Sequence, residues 1–159
     1  MNKQELVDKI IRTLEEEIRI IQHSAEDAQE EARGNDSLSA SQYDNRALEA
    51  SRLADAQMKR VKESQRRLDS FKQMKLKSYD EGQAIGPAAL VEVLHDGETL
   101  LFFIGQQGAG TTIEFEGKMI ELITPQSPLG DALIDQIAGD TVVVETPKGE
   151  LEYEIIRVS

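Results

Sequence analysis

The stretch that decides the fold is SPLGDALIDQIAGDTVVVETPKGELEYEII, residues 127–156. Ser127 is a suitable N-cap and Pro128 suits the first helical position, so a short helix is predicted over the LGDALIDQI that follows. Two alternating segments come next, each typical of a strand with one buried face, with the apolar positions Val142 and Val144, then Leu151, Tyr153 and Ile155. A helix, a strand, a turn and a strand in this order indicate a small α+β domain.

Upstream of this stretch the sequence continues in β-rich segments. AALVEVL, TLLFFIG and KMIELIT are apolar runs of strand length, and turn residues such as His95-Asp96-Gly97-Glu98 separate them. The run GQQGAGTT lacks the spacing and the lysine of a phosphate-binding loop, so it is interpreted as a turn between strands. Together these segments predict an antiparallel sheet with one short helix over residues 79–159.

The N-terminal half has a different period. From Val7 the apolar series in residues 1–33 repeats every four and three residues: Val7, Ile11, Leu14, Ile18, Ile21, Ala25, Ala28, Ala32. A second series with the same spacing follows: Tyr43, Ala47, Ala50, Ala54, Gln57, Val61, Ser64, Leu68, Phe71. Two heptad helices joined by a short polar turn predict an antiparallel coiled-coil hairpin over residues 1–78, with its tip near residues 34–41.

Composition excludes several classes of function. The chain has no cysteine, which removes disulfides and thiolate chemistry, and no apolar run is long enough to span a bilayer. His23 and His95 have no second histidine nearby, so no zinc site is predicted. No nucleophile elbow or Ser-His-Asp arrangement is present. We therefore expect a soluble cytoplasmic protein.

Charge is distributed unevenly along the chain. The net charge of −12 disfavours general nucleic-acid binding, because such binding depends on neutralising phosphates. Sequence-specific DNA is therefore not expected as a partner. Residues 1–56 carry 7 basic and 13 acidic side chains (−6), residues 57–77 carry 8 and 2 (+6), and residues 78–159 carry 3 and 15 (−12). A basic band therefore lies between two acidic regions.

The C-terminal stretch resembles the C-terminal domain of the bacterial Gre transcript-cleavage factors. The shared pattern is Ser127-Pro128-Leu129-Gly130, a short helix, Gly139-Asp140, a valine-rich strand, Thr146-Pro147-Lys148-Gly149 and an alternating final strand from Leu151 to Ile156. The resemblance implies a GreA/GreB-like factor, with a helical hairpin ahead of a domain related in fold to FK506-binding proteins. With only a few aromatic side chains in the domain, peptidyl-prolyl isomerase activity is not expected.

The resemblance also implies a partner and a mechanism. Such factors dock at the rim of the RNA polymerase secondary channel, and the hairpin tip reaches the active centre. Paired tip carboxylates there help hold a second Mg²⁺, and the polymerase then cleaves backtracked RNA. The resemblance thus implies an accessory factor that is not an enzyme by itself and has no cofactor of its own, and the docking residues on the domain are not predicted. The chain is expected to be a monomer that regulates transcription elongation.

The tip departs from the pattern of the family. A gapless alignment on Tyr43 places Asp36 opposite the family's aspartate, but it places Ser39 opposite the glutamate. One metal-directed carboxylate thus remains, and Asp44 is a second candidate if the turn rearranges. Asp36 is equally suited to a turn, Ser39 to a helix cap, and Tyr43 to the hairpin seam. Either the factor stimulates cleavage with this tip, or it occupies the channel without supporting cleavage.

The basic band has two interpretations. Lys59, Arg60, Lys62, Arg66 and Arg67 either face polymerase or nascent RNA, or pair across the hairpin with Glu15, Glu16 and Glu17. Two other kinds of protein also remain open. One is an interaction module like the regulators of nucleoside diphosphate kinase, whose hairpin is shorter than the one predicted here. The other is a rod that dimerises through its coiled coil, for which a concentration-dependent mass is expected.

Overall fold

The computed structural model describes residues 1–33 and 40–159, and it describes side chains for residues 1–28 and 40–159. Two long helices precede a sheet and a short helix, as the sequence predicts. The elements are α1 Lys3–Arg33, α2 Ala40–Lys72, β1 Leu90–His95, β2 Glu98–Ile104, β3 Thr112–Phe115, β4 Lys118–Ile123, α3 Pro128–Leu133, β5 Thr141–Thr146 and β6 Gly149–Val158. The predicted α+β fold class, a helical hairpin followed by a β domain with a short helix, is confirmed.

The chain forms two compact units. One contains Ile11–Asp69, which is most of the two long helices, and the other contains Met1–Ile10 together with Ser70–Ser159. The first turns of α1 and the end of α2 thus belong to the unit that contains the sheet. A functional boundary between residues 78 and 79 stays a prediction.

The heptad seam is confirmed in the half of the helical unit that lies away from the tip. Leu14 and Ile18 of α1 are buried, and so are Ser64 and Leu68 of α2. Because these residues follow the four-and-three spacing on both helices, the two helices of one chain cover each other's apolar stripe. This packing favours the intramolecular hairpin over a rod that needs a second chain.

The seam does not extend along all of α2. Tyr43 is 63% exposed, and Ala47 and Ala50 are exposed as well. The prediction that these three residues are buried in the seam is therefore wrong. Small alanine side chains cover little surface, so the seam has few large groups to bury in this region.

Six strands form one sheet in the order β3-β4-β2-β1-β6-β5. The Asp96-Gly97 turn between β1 and β2 has positive φ at both residues, as a two-residue hairpin turn requires. Val142, Val144, Tyr153 and Ile155 lie in the buried core, which confirms the predicted inward faces of β5 and β6. Leu133 of α3 belongs to the same core, so α3 packs on this side of the sheet.

The sheet differs from the predicted antiparallel arrangement in one pair. β2 runs parallel to β4, with Leu101 opposite Ile120 and Phe103 opposite Leu122. The strand β3, which the sequence analysis did not predict, comes between β2 and β4 along the chain and pairs antiparallel to β4 at the edge of the sheet. Because β3 brings the chain back, β4 can run in the same direction as β2. Part of the segment interpreted as a turn, residues 105–112, is therefore the entry to this strand.

The Ser-Pro-Leu-Gly motif has a specific structural purpose. The Ser127 hydroxyl accepts a hydrogen bond from the Gly130 N–H at 3.2 Å and donates one to the Thr124 carbonyl at 2.7 Å. A Cβ added at Gly130 would lie 1.9 Å from the Thr124 carbonyl oxygen. The helix thus begins so close to the preceding strand end that only glycine fits, and the predicted cap and first position are confirmed.

The ends of the long helices are fixed to the sheet unit by two contacts. The Phe71 ring stacks on Phe103 with centroids 6.4 Å apart, and both side chains are buried. Lys3 donates to the carbonyls of Lys77 and Ala88 and lies 4.9 Å from the centroid of the Tyr79 ring. Burial lowers the pKa of the Lys3 ammonium below its usual range. These contacts hold the segment after α2 against the start of α1.

Replacing Gly130 by alanine should destabilise the sheet unit by about 3 kcal/mol or more, because the backbone of Thr124 has to move. Chemical denaturation of the full chain measures this loss. Asp131→Ala is the matched control, since Asp131 is exposed in the same helix, and its effect should stay within about 0.5 kcal/mol. Equal effects of the two substitutions would contradict the close contact.

Replacing Gln57 by leucine should stabilise the hairpin by about 1 kcal/mol. The Gln57 Oε1 is buried without a hydrogen-bond partner among the described residues, and an unsatisfied polar atom costs about that much or more. Urea denaturation followed by helical circular dichroism measures the change. The control is Gln65→Leu, which removes an exposed hydrogen bond to Asp69 and should not stabilise. A loss of stability in Gln57→Leu would show that this oxygen is satisfied in solution.

Candidate functional site

The predicted tip lies mostly outside the described residues. Asp36 and Ser39, the predicted metal-directed carboxylate and its neighbour in the family alignment, both fall there. Tyr43 and Asp44 are in the first turns of α2, and both are exposed. Tyr43 is thus available to a partner rather than packed in the seam.

The basic band divides into two sets of side chains on α2. Lys59, Lys62 and Arg66 follow one another at spacings of three and four, which places them on one side of the helix. All three are exposed, whereas the seam residues Ser64 and Leu68 are buried. We call these three residues the basic stripe. Arg52, seven residues before Lys59, continues it towards the tip, and the spacing alone could have identified it.

The second set faces a cleft in the hairpin. Arg60 and Arg67 line a surface cleft of about 430 Å³ between α1 and α2. The remaining lining residues are Glu17, Ile20, Ile21, Glu63 and Ser64. Arginines seven residues apart on one helix thus flank a partly apolar floor that also carries two carboxylates. No sequence pattern predicts this cleft, because the cleft depends on which residues of α1 lie opposite α2.

The structure bears on one interpretation of the basic band, the pairing across the hairpin. Glu16 pairs with Arg19 of its own helix at 2.6 Å, so its predicted pairing across the hairpin is wrong. Glu17 lies in the cleft with Arg60 and Arg67, without an ion pair in the described part of the chain. No residue of the basic stripe has an ion-pair or hydrogen-bond partner within the described ranges. The stripe is therefore available to a negatively charged partner.

Among the described residues there is no group of three or more His, Cys, Asp or Glu side chains that could hold a metal ion. His23 contacts Asp27 in its own helix at 3.1 Å. His95 contacts the Glu152 carbonyl at 2.7 Å and stacks on Tyr153. Both histidines thus have structural contacts. In the same described part, no helix is long and apolar enough to cross a membrane.

Comparison with known families identifies the C-terminal domain. Residues 90–159 match the family described as "Transcription elongation factor, GreA/GreB, C-term". These residues include all six strands and α3, together with the Ser-Pro-Leu-Gly motif. The class that this match identifies is that of the C-terminal domain of the GreA/GreB factors. The C-terminal domain of this chain belongs to the GreA/GreB family, as the resemblance predicted.

Curated relatives agree with this assignment. The chain is 36% identical over 76 residues to the transcription elongation factor GreA of Streptococcus pneumoniae serotype 19F (strain G54), an alignment that covers 47% of this chain and 43% of the relative. GreA of Streptococcus sanguinis (strain SK36) matches with the same identity and coverage. The chain thus spans less than half the length of the curated relatives it matches.

Solved structures of similar proteins include two members of this group. The GreA factor homolog 1 (Gfh1) protein of Thermus thermophilus is 19% identical, with a TM-score of 0.39 and coverage of 94% of each chain. A transcription elongation factor GreA/GreB from Nitrosomonas europaea is 16% identical, with a TM-score of 0.36, and the match covers 60% of this chain and 78% of that one.

Replacing Lys59, Lys62 and Arg66 together by glutamine should leave the free energy of unfolding unchanged within about 0.5 kcal/mol, because the stripe has no ion pairs to lose. Urea denaturation measures this. Arg19→Gln breaks the pair with Glu16, so its effect shows how much free energy of unfolding a surface ion pair of this chain contributes. A loss above about 1 kcal/mol in the triple variant would mean that the stripe pairs with acidic residues in solution.

Proposed function

We propose that this chain binds RNA polymerase in the bacterial cytoplasm and modulates transcription elongation, with its helical hairpin entering the secondary channel. The observation that carries the proposal is the match of residues 90–159 to the GreA/GreB C-terminal domain, directly preceded along the chain by two long helices. A helix of 31 residues such as α1 is about 45 Å long. This length suits a probe that reaches from a channel entrance to a buried active centre.

The exposed charges of the hairpin support the same proposal. A channel through which polymerase extrudes RNA contains a polyanion, and the unpaired cations of the basic stripe can neutralise phosphates there. Tyr43 is exposed near the tip, where an aromatic ring can stack on a base. The proposal therefore assigns the stripe to polymerase or nascent RNA rather than to pairing with α1.

The chain is not proposed to be an enzyme. Cleavage, where it occurs, is carried out by the polymerase with its own Mg²⁺, and the factor contributes the Asp36 carboxylate. Oxygen ligands of this kind are what Mg²⁺ prefers. One carboxylate recruits the ion less well than two, so weak stimulation and simple channel occupancy are the two versions of the proposal.

Two other classes are less well supported. The length of α1, 31 residues, does not fit the shorter hairpin expected for an interaction module like the regulators of nucleoside diphosphate kinase. The burial of Leu14 and Leu68 within one chain leaves little apolar seam for a dimeric rod. The proposed factor is a monomer, and sedimentation at several concentrations tests this.

The test of the proposal uses RNA polymerase halted in a backtracked complex with end-labelled RNA. We expect the chain to bind, and stimulated RNA shortening should fall at least about tenfold in Asp36→Ala, because a carboxylate near the metal is lost. Asp44→Ala is the matched control, since it removes an exposed carboxylate of α2 just beyond the predicted tip.

The outcomes of this test distinguish cleavage stimulation from simple occupancy of the channel. Shortening lost in Asp36→Ala alone identifies a cleavage factor that works with one tip carboxylate. Shortening lost in Asp44→Ala instead assigns the carboxylate to Asp44. Binding without any shortening identifies a regulator that occupies the channel. Absence of binding contradicts the proposal as a whole.

A further inference from the structure

The cleft between α1 and α2 has no role in the proposed function. It has a volume of about 430 Å³ and lies within the helical unit Ile11–Asp69. Pockets that bind small molecules have volumes of roughly 300–1,000 Å³, so the cleft is large enough for a small ligand. The basic stripe, which the proposed function assigns to polymerase or RNA, is not part of its lining.

Ser64 is the first indication of a ligand in this cleft. Its side chain lines the cleft, although the residue is only 7% exposed. The Ser64 hydroxyl makes no hydrogen bond to another residue within the described ranges. Buried polar groups of folded proteins nearly always have a hydrogen-bond partner, and a hydroxyl can both donate and accept. A polar ligand atom in the cleft, in place of solvent, can supply this partner.

Two arginines lie on the same side of α2 as Ser64. Arg60 is four residues before it and Arg67 three residues after it, and both line the cleft. Arg60 has no ion pair in the described part of the chain, so its guanidinium is available to a ligand. A guanidinium and a hydroxyl one helical turn apart can together bind the oxygens of a carboxylate. This part of the cleft therefore suits an anionic group.

Two carboxylates in the lining argue against a ligand that is only an anion. Glu17 of α1 and Glu63 of α2 line the cleft, and neither has an ion pair or a side-chain hydrogen bond within the described residues. The arginines would attract a purely negative ligand, but the glutamates would repel it. A ligand with one anionic and one cationic group gains from both pairs. The charges of the cleft thus favour a zwitterion.

The cleft also offers an apolar surface. Ile20 is 54% exposed, and Ile21 next to it is half-buried. Both side chains line the cleft. An aromatic or aliphatic group laid on Ile20 would remove apolar surface from water, which favours binding. The ligand is therefore expected to carry an apolar body between or beside its two charged groups.

We propose that this cleft binds a small zwitterion with an apolar body, of the size of an aromatic amino acid. Arg60 and Ser64 hold its carboxylate, Glu17 on the opposite helix binds its ammonium group, and the apolar body covers Ile20. The site requires no RNA polymerase. It therefore goes beyond the proposed function and is tested separately from it.

The first experiment titrates L-phenylalanine into the isotope-labelled full chain, without polymerase, and follows the backbone amide signals by NMR. Signals of residues 17–21 and 60–67 should shift and saturate with a dissociation constant of about 1 mM, as expected for so small a ligand. Hydrocinnamate lacks the ammonium group and phenethylamine lacks the carboxylate. Each should bind at least about tenfold more weakly, because one set of charges in the cleft is left without a partner.

The second experiment compares variants of the lining with matched controls elsewhere in α2. Arg60→Gln should weaken the binding of L-phenylalanine about tenfold and Ser64→Ala about fivefold, because each removes a hydrogen bond to a charged group. Arg46→Gln and Ser51→Ala make the same changes at exposed positions outside the cleft, so affinity should stay within about twofold. Since Arg60 is exposed, its variant tests the site even where a change at Ser64 disturbs the seam.

The outcomes decide on the site and on its ligand class. Saturating shifts in the two named ranges, together with weaker binding in Arg60→Gln but not in Arg46→Gln, support the proposal. Equal losses in these two variants, or shifts confined to other residues, overturn the location. Hydrocinnamate that binds as tightly as L-phenylalanine overturns the zwitterion and the role of Glu17. Absence of saturable binding overturns the proposal as a whole and leaves the proposed function standing.

Discussion

The contact of Phe71 with Phe103 is the constraint on which the arrangement of the sheet unit depends. Phe71 ends the heptad series of α2, and its ring is buried against β2. A Cβ added at Gly105 would lie 3.2 Å from Phe71 Cζ, so the loop after β2 has to pass close to this ring. The end of a coiled-coil helix is thereby part of the packing of the domain. Lys3 connects the start of α1 to the same unit through its hydrogen bonds to the carbonyls of Lys77 and Ala88.

Unpaired charge is the second organising feature. The three residues of the basic stripe on α2 are exposed, and so are four glutamates of β5 and β6, Glu145, Glu150, Glu152 and Glu154. None of these side chains has an ion-pair partner in the described part of the chain. Surface ion pairs contribute little to stability, so leaving these charges unpaired costs the fold little. They remain available for binding, where complementary charge increases association rates and selects partners.

The sequence predicted those elements that local chemistry determines. The four-and-three spacing located Leu14, Ile18, Ser64 and Leu68 in the seam, and all four are buried. Ser127 and Pro128 predicted the start of α3, because capping depends on neighbouring residues alone. The resemblance to the Gre family rested on the same stretch and was confirmed for residues 90–159.

Features that depend on distant contacts could not be predicted in this way. The parallel pair of β2 and β4 requires β3 to lie on the outer side of β4. Turn residues indicate where strands end but do not determine the order of the strands in a sheet. Tyr43 has the seam spacing but is exposed, since a spacing pattern does not say whether the facing helix is bulky enough to cover it. In the candidate site, the separation of the basic stripe from the Arg60–Arg67 pair could be predicted, because it follows from helix geometry. The pairing of side chains across β5 and β6 could not, because it depends on the register of the two strands.

The proposed function requires the hairpin tip to enter the secondary channel of RNA polymerase. Because the chain has no cysteine, Asp44→Cys provides a single attachment point near the tip for an iron chelate that generates hydroxyl radicals. Mapping of the cuts on bound polymerase then locates the tip directly. If the tip enters the channel, the cuts should be confined to the channel walls beside the active centre. Cuts on the outer surface alone, with binding intact, would contradict it.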